Sequence, residues 1–428
     1  MVATLFLLFT LLLALSVPIF IVLSLSTLGA FVLHSAIPLE TVVQRLFAGL
    51  DKFALMAIPF FILAANVMSV GGMSRRIIAV ANVLVGWLPG GLAMASVLAC
   101  LFFGAISGSS PATVVAMGSL LYPALVQAGY GRRFAIALVV ASGSIALIIP
   151  PSITMIVYGA VTGASVGALF VAGFGAGATY GLGFMAYGYF YARRNRIPVR
   201  ARPSLKEVRA VLADAKWGLG MPAIIIGGIY GGVFTPTEAA AAAAVYAIVV
   251  ALGIHREIGL REFFDVLIQS AASTAQVMIM LAGASVFAWI LTSEGVTVVL
   301  TETIVRLGTS QWMVLLLMNI ALLIAGMLID GASIILILGP LLLPVALKVG
   351  VDPLHLGIIM VVNTAIGMFT PPFGLNLFVA PTVDEEFTMA RLIPAILPFI
   401  WVSILPLLVI TYFPGISLWL PRLIYGVR

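Results

Sequence analysis

Apolar residues run in long blocks from one end of the chain to the other, and short polar or proline-containing stretches interrupt them. Blocks of about 20 apolar residues predict helices that cross a bilayer. The first block, residues 5–33, is longer than the apolar region of a signal peptide and lacks a small-residue cleavage site, so it predicts one retained span. The pattern therefore predicts an all-α polytopic membrane protein.

Four interruptions lie inside these apolar blocks. Two of them are rich in small residues and predict the tips of re-entrant hairpins, at 104–113 and 325–333. The other two contain a Pro-Pro pair and predict broken helices, at 133–158 and 355–380. Irregular backbone at membrane depth must be buried in protein or line a wet cavity, so these four segments are the candidate functional region.

The second half of the chain repeats the first in outline, at an offset of 221 residues. The offset aligns these backbone-breaking positions: Gly118 with Gly339, Pro123 with Pro344, Gly129 with Gly350, and Pro150-Pro151 with Pro371-Pro372. Matching prolines and glycines mark matching breaks in the backbone. Duplication with interrupted helices at corresponding positions is the sequence signature of a secondary transporter, and the halves are inverted if each has an odd number of crossings.

Amphipathic stretches and one basic segment divide the chain further. Residues 38–52 and 259–270 carry apolar side chains at helical spacing against charged ones, which predicts arm helices in the membrane interface. The segment 193–216 is hydrophilic and rich in arginine, so the positive-inside rule places it in the cytoplasm. It predicts a linker between a first repeat, 1–192, and a second repeat, 217–428.

Composition agrees with this interpretation. The chain has 428 residues, of which 63% are hydrophobic and only 8% charged, whereas a soluble domain has about 25% charged residues. The net charge of +6 is expected from loop arginines and lysines that face the cytoplasm or anionic lipid, and it predicts no nucleic-acid partner. The single cysteine, Cys100, excludes an internal disulfide.

The four interrupted segments concentrate neutral oxygen ligands. Broken helices expose carbonyls that suit Na⁺ and amides that suit an anionic substrate. The alternative is that glycine and serine only let helices pack closely, but packing does not require matched Pro-Pro breaks. The side-chain oxygens are those of Ser107, Ser109, Ser110, Ser142 and Ser144 in the first half and of Asp330, Ser333, Asn363, Thr364, Thr370 and Asn376 in the second.

Three other polar residues have competing interpretations. A carboxylate at the centre of a membrane-spanning helix costs about 2.5–3.5 kcal/mol, so Asp330 must face protein or water. It is either a cation ligand or cap at a hairpin tip, or a helix N-cap at the membrane edge. Glu238, three residues after Thr235, indicates a helix start rather than an ion pair within the scaffold. For Asn66, an interhelical hydrogen bond is favoured over a role as a binding-site residue.

Other functional classes fit the chain poorly. An enzyme needs convergent nucleophiles, bases or metal ligands, but the three histidines and one cysteine are scattered and no H-E-x-x-H or G-x-S-x-G motif occurs. The sequence predicts no enzymatic activity, no cofactor and no transition metal. A channel does not need paired broken helices on a duplicated scaffold.

The set of motifs resembles the large membrane subunit (DctM-like) of tripartite ATP-independent periplasmic (TRAP) transporters. The similarity covers essentially the whole chain and rests on motifs in a specific order. These are the tip at 104–113, the two Pro-Pro breaks, the run FTPPFGLNLF at 369–378 and the segment Thr235-Pro-Thr-Glu238. The resemblance implies an elevator-type ion-transporter fold in a bacterial inner membrane, with hairpins and broken helices moving against a scaffold.

The resemblance also implies site residues, segment by segment. For Na⁺ binding these are Ser107, Gly108, Ser109, Ser110, Ser142, Gly143, Ser144, Asp330, Gly331, Asn363, Thr364 and Gly367. For substrate binding between the tips they are Ser109, Ser110, Pro150, Ser333, Thr370, Pro371 and Asn376.

The family further implies what the transporter works with. The coupling ion is Na⁺, and the partners are a four-helix small membrane subunit (DctQ-like) and a periplasmic substrate-binding protein. The substrate is an organic acid, such as a dicarboxylate, sialic acid or a sulfonate. The rival interpretation is a stand-alone Na⁺/dicarboxylate or gluconate-type symporter that needs no binding protein.

Overall fold

A computed structural model describes residues 1–15, 17–35, 38–70, 72–306 and 310–426. The first half of the described chain forms ten α-helices. They are α1 (Val2–Ala14), α2 (Ile19–His34), α3 (Glu40–Leu50), α4 (Ala57–Val70), α5 (Met73–Val85), α6 (Gly91–Ser107), α7 (Ser110–Gln127), α8 (Arg132–Gly143), α9 (Ile153–Thr162) and α10 (Val166–Arg194). Short 3₁₀ turns at Phe53–Met56 and Ser144–Leu147 precede α4 and follow α8.

The described second half adds ten more α-helices. They are α11 (Leu205–Tyr230), α12 (Pro236–Ile248), α13 (Leu260–Ser293), α14 (Val296–Arg306), α15 (Gln311–Gly326), α16 (Gly331–Lys348), α17 (Pro353–Gly367), α18 (Leu375–Val379), α19 (Met389–Tyr412) and α20 (Gly415–Tyr425). A π-helical segment, Val249–His255, extends α12, and a 3₁₀ turn, Ala380–Thr382, follows α18.

Several described helices are long and apolar enough to cross a membrane. Seven meet this condition: Phe53–Val70, Val166–Arg194, Leu205–Tyr230, Pro236–His255, Leu260–Ser293, Gly331–Lys348 and Met389–Tyr412. Shorter apolar helices include Gly91–Ser107, Ile153–Thr162, Gln311–Gly326 and Pro353–Gly367, which belong to the hairpins and broken helices. The prediction of an all-α, multi-pass membrane protein is confirmed.

The prediction of one span over residues 5–33 is wrong. The segment forms two helices, α1 and α2, that pack side by side, with Thr4 Oγ1 2.7 Å from His34 Nε2. Pro18 lies at the N-cap of α2, where it needs no helical hydrogen bond. Proline inside a continuous helix would remove such a bond and clash with the preceding turn, which explains the break. Residue 16, within this segment, lies outside the described residues.

The two predicted arm helices differ from each other. The first is present as α3, whose Val43 and Phe47 side chains are exposed. The second, at 259–270, is not a separate helix but the beginning of the 34-residue α13. Because α13 contains no proline, nothing in its backbone ends the helix at residue 270.

Helix α12 begins as the sequence predicts. The Thr235 N–H donates to Glu238 Oε2 at 2.8 Å, and the Glu238 N–H donates to Thr235 Oγ1 at 3.3 Å. This capping box satisfies two amides that the first turn leaves unpaired. The interpretation of Glu238 as part of a helix start is confirmed.

Two helical hairpins enter the fold from opposite ends. Helix α6 turns back into α7, and α15 turns back into α16. Arg132, just after the first hairpin, forms an ion pair with Asp384, which lies before the start of α19. Trp312, at the start of the second hairpin, stacks on Tyr412 at the other end of α19, with ring centroids 4.6 Å apart. Since α19 has 24 residues, about 36 Å of helix separates the two hairpin bases.

A cluster of charged groups fastens the base of the first hairpin. The Arg132 guanidinium donates to Asp384 Oδ2 at 2.8 Å, to Tyr122 Oη at 3.0 Å and to Glu386 Oε2 at 2.9 Å. The Tyr122 hydroxyl also donates to Asp384. Burial opposes the charged carboxylate, but the hydrogen bonds from Tyr122 and Arg132 outweigh it and lower the pKa of Asp384.

Candidate functional site

The tip of the first hairpin lies directly against the first broken helix. The tip is only Gly108-Ser109, because α6 runs to Ser107 and α7 begins at Ser110. A Cβ added to Gly104 would lie 2.7 Å from the Ala146 Cα. Gly108 has a φ of +56°, and a Cβ there would lie 2.7 Å from the Pro151 carbonyl oxygen. Glycine is therefore required for the tip to meet the break at both positions.

The second half has the same arrangement. A Cβ on Gly367, at the end of α17, would lie 2.5 Å from the Gly326 Cα at the end of α15. The Phe373 N–H, in the break that separates α17 from α18, donates to the Met327 carbonyl in the tip at 3.1 Å. The peptide bonds Pro150-Pro151 and Pro371-Pro372 are both cis.

One asparagine joins the two halves at this level. The Asn376 side chain, on α18, is fully buried. It accepts a hydrogen bond from Ser110 Oγ at 2.9 Å and donates one to the Val140 carbonyl at 3.0 Å. Both partners belong to the first half. The side chain predicted to bind substrate is thus occupied by protein contacts that fasten the second break to the first hairpin.

Several oxygens at these junctions have no hydrogen-bond partner although they are buried. They are Ser142 Oγ, Asp330 Oδ1, Ser333 Oγ and Asn363 Oδ1. A buried polar atom left unpaired costs about 1–3 kcal/mol, so it calls for an explanation such as an ion. Ser142 and Asn363 are equivalent under the 221-residue offset. Each half therefore places an unpaired oxygen at the same point of its broken helix, and neutral oxygens of this kind suit Na⁺.

Asp330 is the N-cap of α16, at the tip of the second hairpin. Its Oδ2 accepts from the Ala332 N–H at 3.0 Å and from the Ser333 N–H at 3.2 Å, which starts α16. These bonds leave Oδ1 without a partner. Asp330 can therefore cap the helix and still offer an oxygen to a cation.

A cavity of about 390 Å³ opens between the two tips and two other helices. Both tips contribute their predicted residues Ser107 to Ser110 and Asp330-Gly331. The opposite wall comes from α4 and α13 and includes Asn66, Ser273 and Gln276. Asn66 Nδ2 also donates to Ser270 Oγ at 2.9 Å, which confirms the predicted interhelical hydrogen bond. The cavity is large enough for a small organic molecule.

The electrostatics of the cavity come from helix starts, neutral polar groups and one acidic side chain, that of Asp330. Among the described residues that line it, none is lysine, arginine or histidine. Helices α7 and α16 begin at its two tips, with Ser109 and Asp330 as their N-caps. A helix N-terminus carries a partial positive charge, so the start of α7 favours an anionic group, whereas the Asp330 carboxylate already occupies the start of α16.

Other residues predicted for the site do not line the cavity. Three hydroxyls donate to carbonyls of their own helical segments: Ser144 to Ala141, Thr364 to Val361 and Thr370 to Ile366. The cavity wall also excludes Gly143, Pro150, Ser333, Gly367, Pro371 and Asn376. Of the predicted residues, those at 107–110 and 330–331 therefore line the cavity, whereas the two breaks contribute other residues, Leu147, Met368 and Leu375.

Sequence reasoning missed Ser273 and Gln276, which face the tips from α13. They are one helical turn apart in the middle of a 34-residue apolar helix. Polar side chains at such depth are expensive and usually functional. Two polar residues one helical turn apart were the available signal, but α13 contains no proline or glycine break of the kind that marked the other site segments.

Comparison with known proteins agrees with this architecture. Residues 6–416 match the family model described as "Tripartite ATP-independent periplasmic transporter, DctM component". The chain is 46% identical to the C4-dicarboxylate TRAP transporter large permease protein DctM of Pseudomonas aeruginosa, over 94% of this chain and 93% of that protein. It is 44% identical to the isethionate TRAP transporter permease protein DctMQ of Oleidesulfovibrio alaskensis, over 96% of this chain and 65% of that relative's length.

The fold also has a counterpart among solved structures. The crystal structure of the Alcanivorax borkumensis YdaH transporter superposes with a TM-score of 0.63 at 15% identity, covering 98% of this chain and 99% of that one. At this identity the likeness shows the fold alone. The family match covers nearly the whole chain, and its relatives are permease components rather than enzymes. This chain therefore belongs to the DctM family, the large permease component of tripartite ATP-independent periplasmic transporters.

Proposed function

We propose that this chain imports a small organic acid across the bacterial inner membrane by Na⁺ symport. The observation that carries the proposal is the pair of unpaired, buried oxygens at equivalent points of the two broken helices, Ser142 Oγ and Asn363 Oδ1. Each lies in a helix that a hairpin tip contacts closely. A cation of low charge satisfies such oxygens.

The residues divide between two cation sites in this proposal. The first draws on the tip at 107–110 and on Ser142–Ser144, and the second on Asp330-Gly331 and on Asn363–Gly367. Na⁺ bound there holds each tip against its break. That contact fixes the two tips, and the anionic substrate binds between them. Ion and substrate then stabilise the same arrangement, which is what couples their transport.

The cavity lies between the two hairpin tips and helices α4 and α13, and we infer the transport movement from this position. We place the hairpins and broken helices in a mobile domain, and α4 and α13 in the static scaffold. In an elevator mechanism the mobile domain slides along the scaffold and carries substrate and ions together. The substrate is then released when the cavity faces the cytoplasm.

The partners in this proposal are a DctQ-like small membrane subunit and a periplasmic binding protein that delivers the substrate. The names of the relatives include isethionate and C4-dicarboxylates, which share a small size and an anionic group. The proposal is accordingly for an organic acid of this class. The lining of the cavity supports a substrate held by amides and helix starts, since no basic side chain of the described lining faces it.

Uptake into proteoliposomes tests the proposal. Vesicles with the chain and its small subunit should accumulate the acid carried by the binding protein only when Na⁺ is present outside. Uptake that is unchanged when K⁺ replaces Na⁺ would refute Na⁺ coupling. Uptake that proceeds without any binding protein would favour the stand-alone symporter instead.

A matched pair of asparagine variants tests the site itself. Asn363→Ala should weaken the Na⁺ dependence of uptake by about tenfold or more, because it removes a proposed ligand. Asn195→Ala should not, because Asn195 is exposed after α10 and its side chain donates only to the Tyr191 carbonyl. Equal effects of the two substitutions would contradict the assignment.

A further inference from the structure

The side-chain amide of Asn363 is held in one orientation. Its Nδ2 donates to the Ile359 carbonyl at 2.8 Å and to Asn319 Oδ1 at 2.7 Å. Both amide hydrogens are therefore used. Asn363 Oδ1 is left as an acceptor without a partner in a fully buried side chain. The arrangement exposes an oxygen, not a nitrogen, to whatever binds there.

Asn319 is itself held by a third residue. It lies on α15, is 2% exposed, and donates from Nδ2 to Thr411 Oγ1 on α19 at 3.1 Å. The Thr411 hydroxyl is also 3.5 Å from Asn319 Oδ1. The Thr411 backbone is fixed in turn, because its carbonyl oxygen lies 3.0 Å from His355 Nε2. The three side chains form a buried relay that crosses α17, α15 and α19.

We propose that Asn319 and Thr411 are positioning residues that keep the Asn363 carbonyl oxygen turned toward the second Na⁺ site, an inference that rests on the proposed function. The oxygen and nitrogen of an asparagine amide are nearly equal in size, so hydrogen bonds alone decide which faces where. A flipped Asn363 amide would direct its NH₂ group at the cation. Thr411 orients Asn319, so that Asn319 presents its Oδ1 to the Asn363 Nδ2.

At the equivalent positions, all of which the structure describes, the first half has no such relay. Under the 221-residue offset, Asn363 corresponds to Ser142, while Asn319 and Thr411 correspond to Leu98 and Phe190. A serine hydroxyl rotates freely and can turn its lone pairs toward an ion unaided. An amide cannot do so without changing places with its NH₂ group. The ligand of the first proposed ion site can therefore orient itself, whereas the Asn363 amide of the second must be held by distant residues.

Na⁺-dependent thermal stability tests the relay without knowledge of the substrate. The full chain, purified in detergent with the membrane partner that copurifies, is melted at rising NaCl with KCl keeping the total salt constant. Loss of one buried hydrogen bond that orients a ligand should raise the half-saturating Na⁺ concentration about fivefold in Thr411→Val. Thr411→Ser keeps the hydroxyl and should titrate like the wild type.

The control is another fully buried threonine. Thr27 on α2 donates only to the Leu23 carbonyl of its own helix, at 2.6 Å. Thr27→Val should lower the melting temperature without moving the Na⁺ titration. If Thr411→Val does not fold, Thr411→Ala removes the same hydroxyl with less crowding and takes its place.

The outcomes separate the relay from the site it serves. A fivefold shift in Thr411→Val, rescued by serine and absent in Thr27→Val, would establish the positioning role. Unchanged Na⁺ titrations in both Thr411→Val and Asn319→Ala would overturn the relay while leaving the cation site intact. A wild-type protein whose melting ignores Na⁺ would overturn the cation site and the relay with it.

Discussion

The contact between Gly326 and Gly367 allows a sharp test of the hairpin-and-break architecture. In Gly367→Ala the new Cβ would lie 2.5 Å from the Gly326 Cα and 2.6 Å from its carbonyl carbon and oxygen. All three are backbone atoms, so no side chain can rotate away. Restoring ordinary contact at 3.4 Å requires the tip and the break to separate by about 0.9 Å. Overpacking of this kind costs about 1–3 kcal/mol.

That energy should appear mainly in Na⁺ binding. The proposed site needs the tip and the break together, so separating them acts against the bound state. A penalty of about 1–3 kcal/mol corresponds to a loss of about 5- to 150-fold in Na⁺ affinity. The measurement is the half-saturating Na⁺ concentration, from thermal melting in NaCl–KCl mixtures and from uptake by proteoliposomes.

A second glycine provides the control. Gly253, in the π-helical extension of α12, has no atom within 4 Å of an added Cβ. Gly253→Ala should therefore leave both melting and Na⁺ titration unchanged, or stabilise the helix slightly. If Gly367→Ala behaves like Gly253→Ala, the close approach of the tip to the break is not required and the reasoning fails.

Two further predictions concern the connections around the site. Because the pKa of Asp384 is lowered in the folded protein, its contribution to stability is present above the unfolded pKa of about 3.9 and disappears as the pH falls through the folded pKa. Asp384→Asn should lower the melting temperature at pH 7 and flatten its fall in acid, and a fall as steep as that of the wild type would contradict this. Asn376→Ala should cost about 1–3 kcal/mol, because Ser110 Oγ loses its buried partner. Loss of substrate affinity at unchanged melting temperature would instead favour the substrate role predicted for Asn376.

The sequence was most informative where the backbone must break. Proline pairs and glycines identify the interrupted helices because lipid tolerates no unsatisfied backbone, and the hairpin tips were found within a few residues. A helix break inside a purely apolar run was harder to find. Pro18 divides residues 5–33 into two helices, but the apolar run around it looks continuous.

Side-chain roles were less predictable than segments. Thr364, Thr370 and Ser144 are indistinguishable by sequence from serines at the cavity, yet their hydroxyls bond to their own helical segments. Which option a hydroxyl takes depends on the neighbours that packing supplies. Asn319 and Thr411 join Asn363 only through contacts across 44 and 92 residues of sequence, which no local pattern encodes.

The hydrogen bonds of Asn376 also bear on how the protein is made. Ser110 and Val140 are synthesised 266 and 236 residues before the asparagine that they contact. Until α18 has been inserted, the first hairpin and its broken helix lack this fastening. The proposed first ion site therefore gains this contact only when nearly the whole chain is in the membrane, and a truncated product that ends before α18 lacks it. Assembly of the proposed transport site is thus a late event in synthesis.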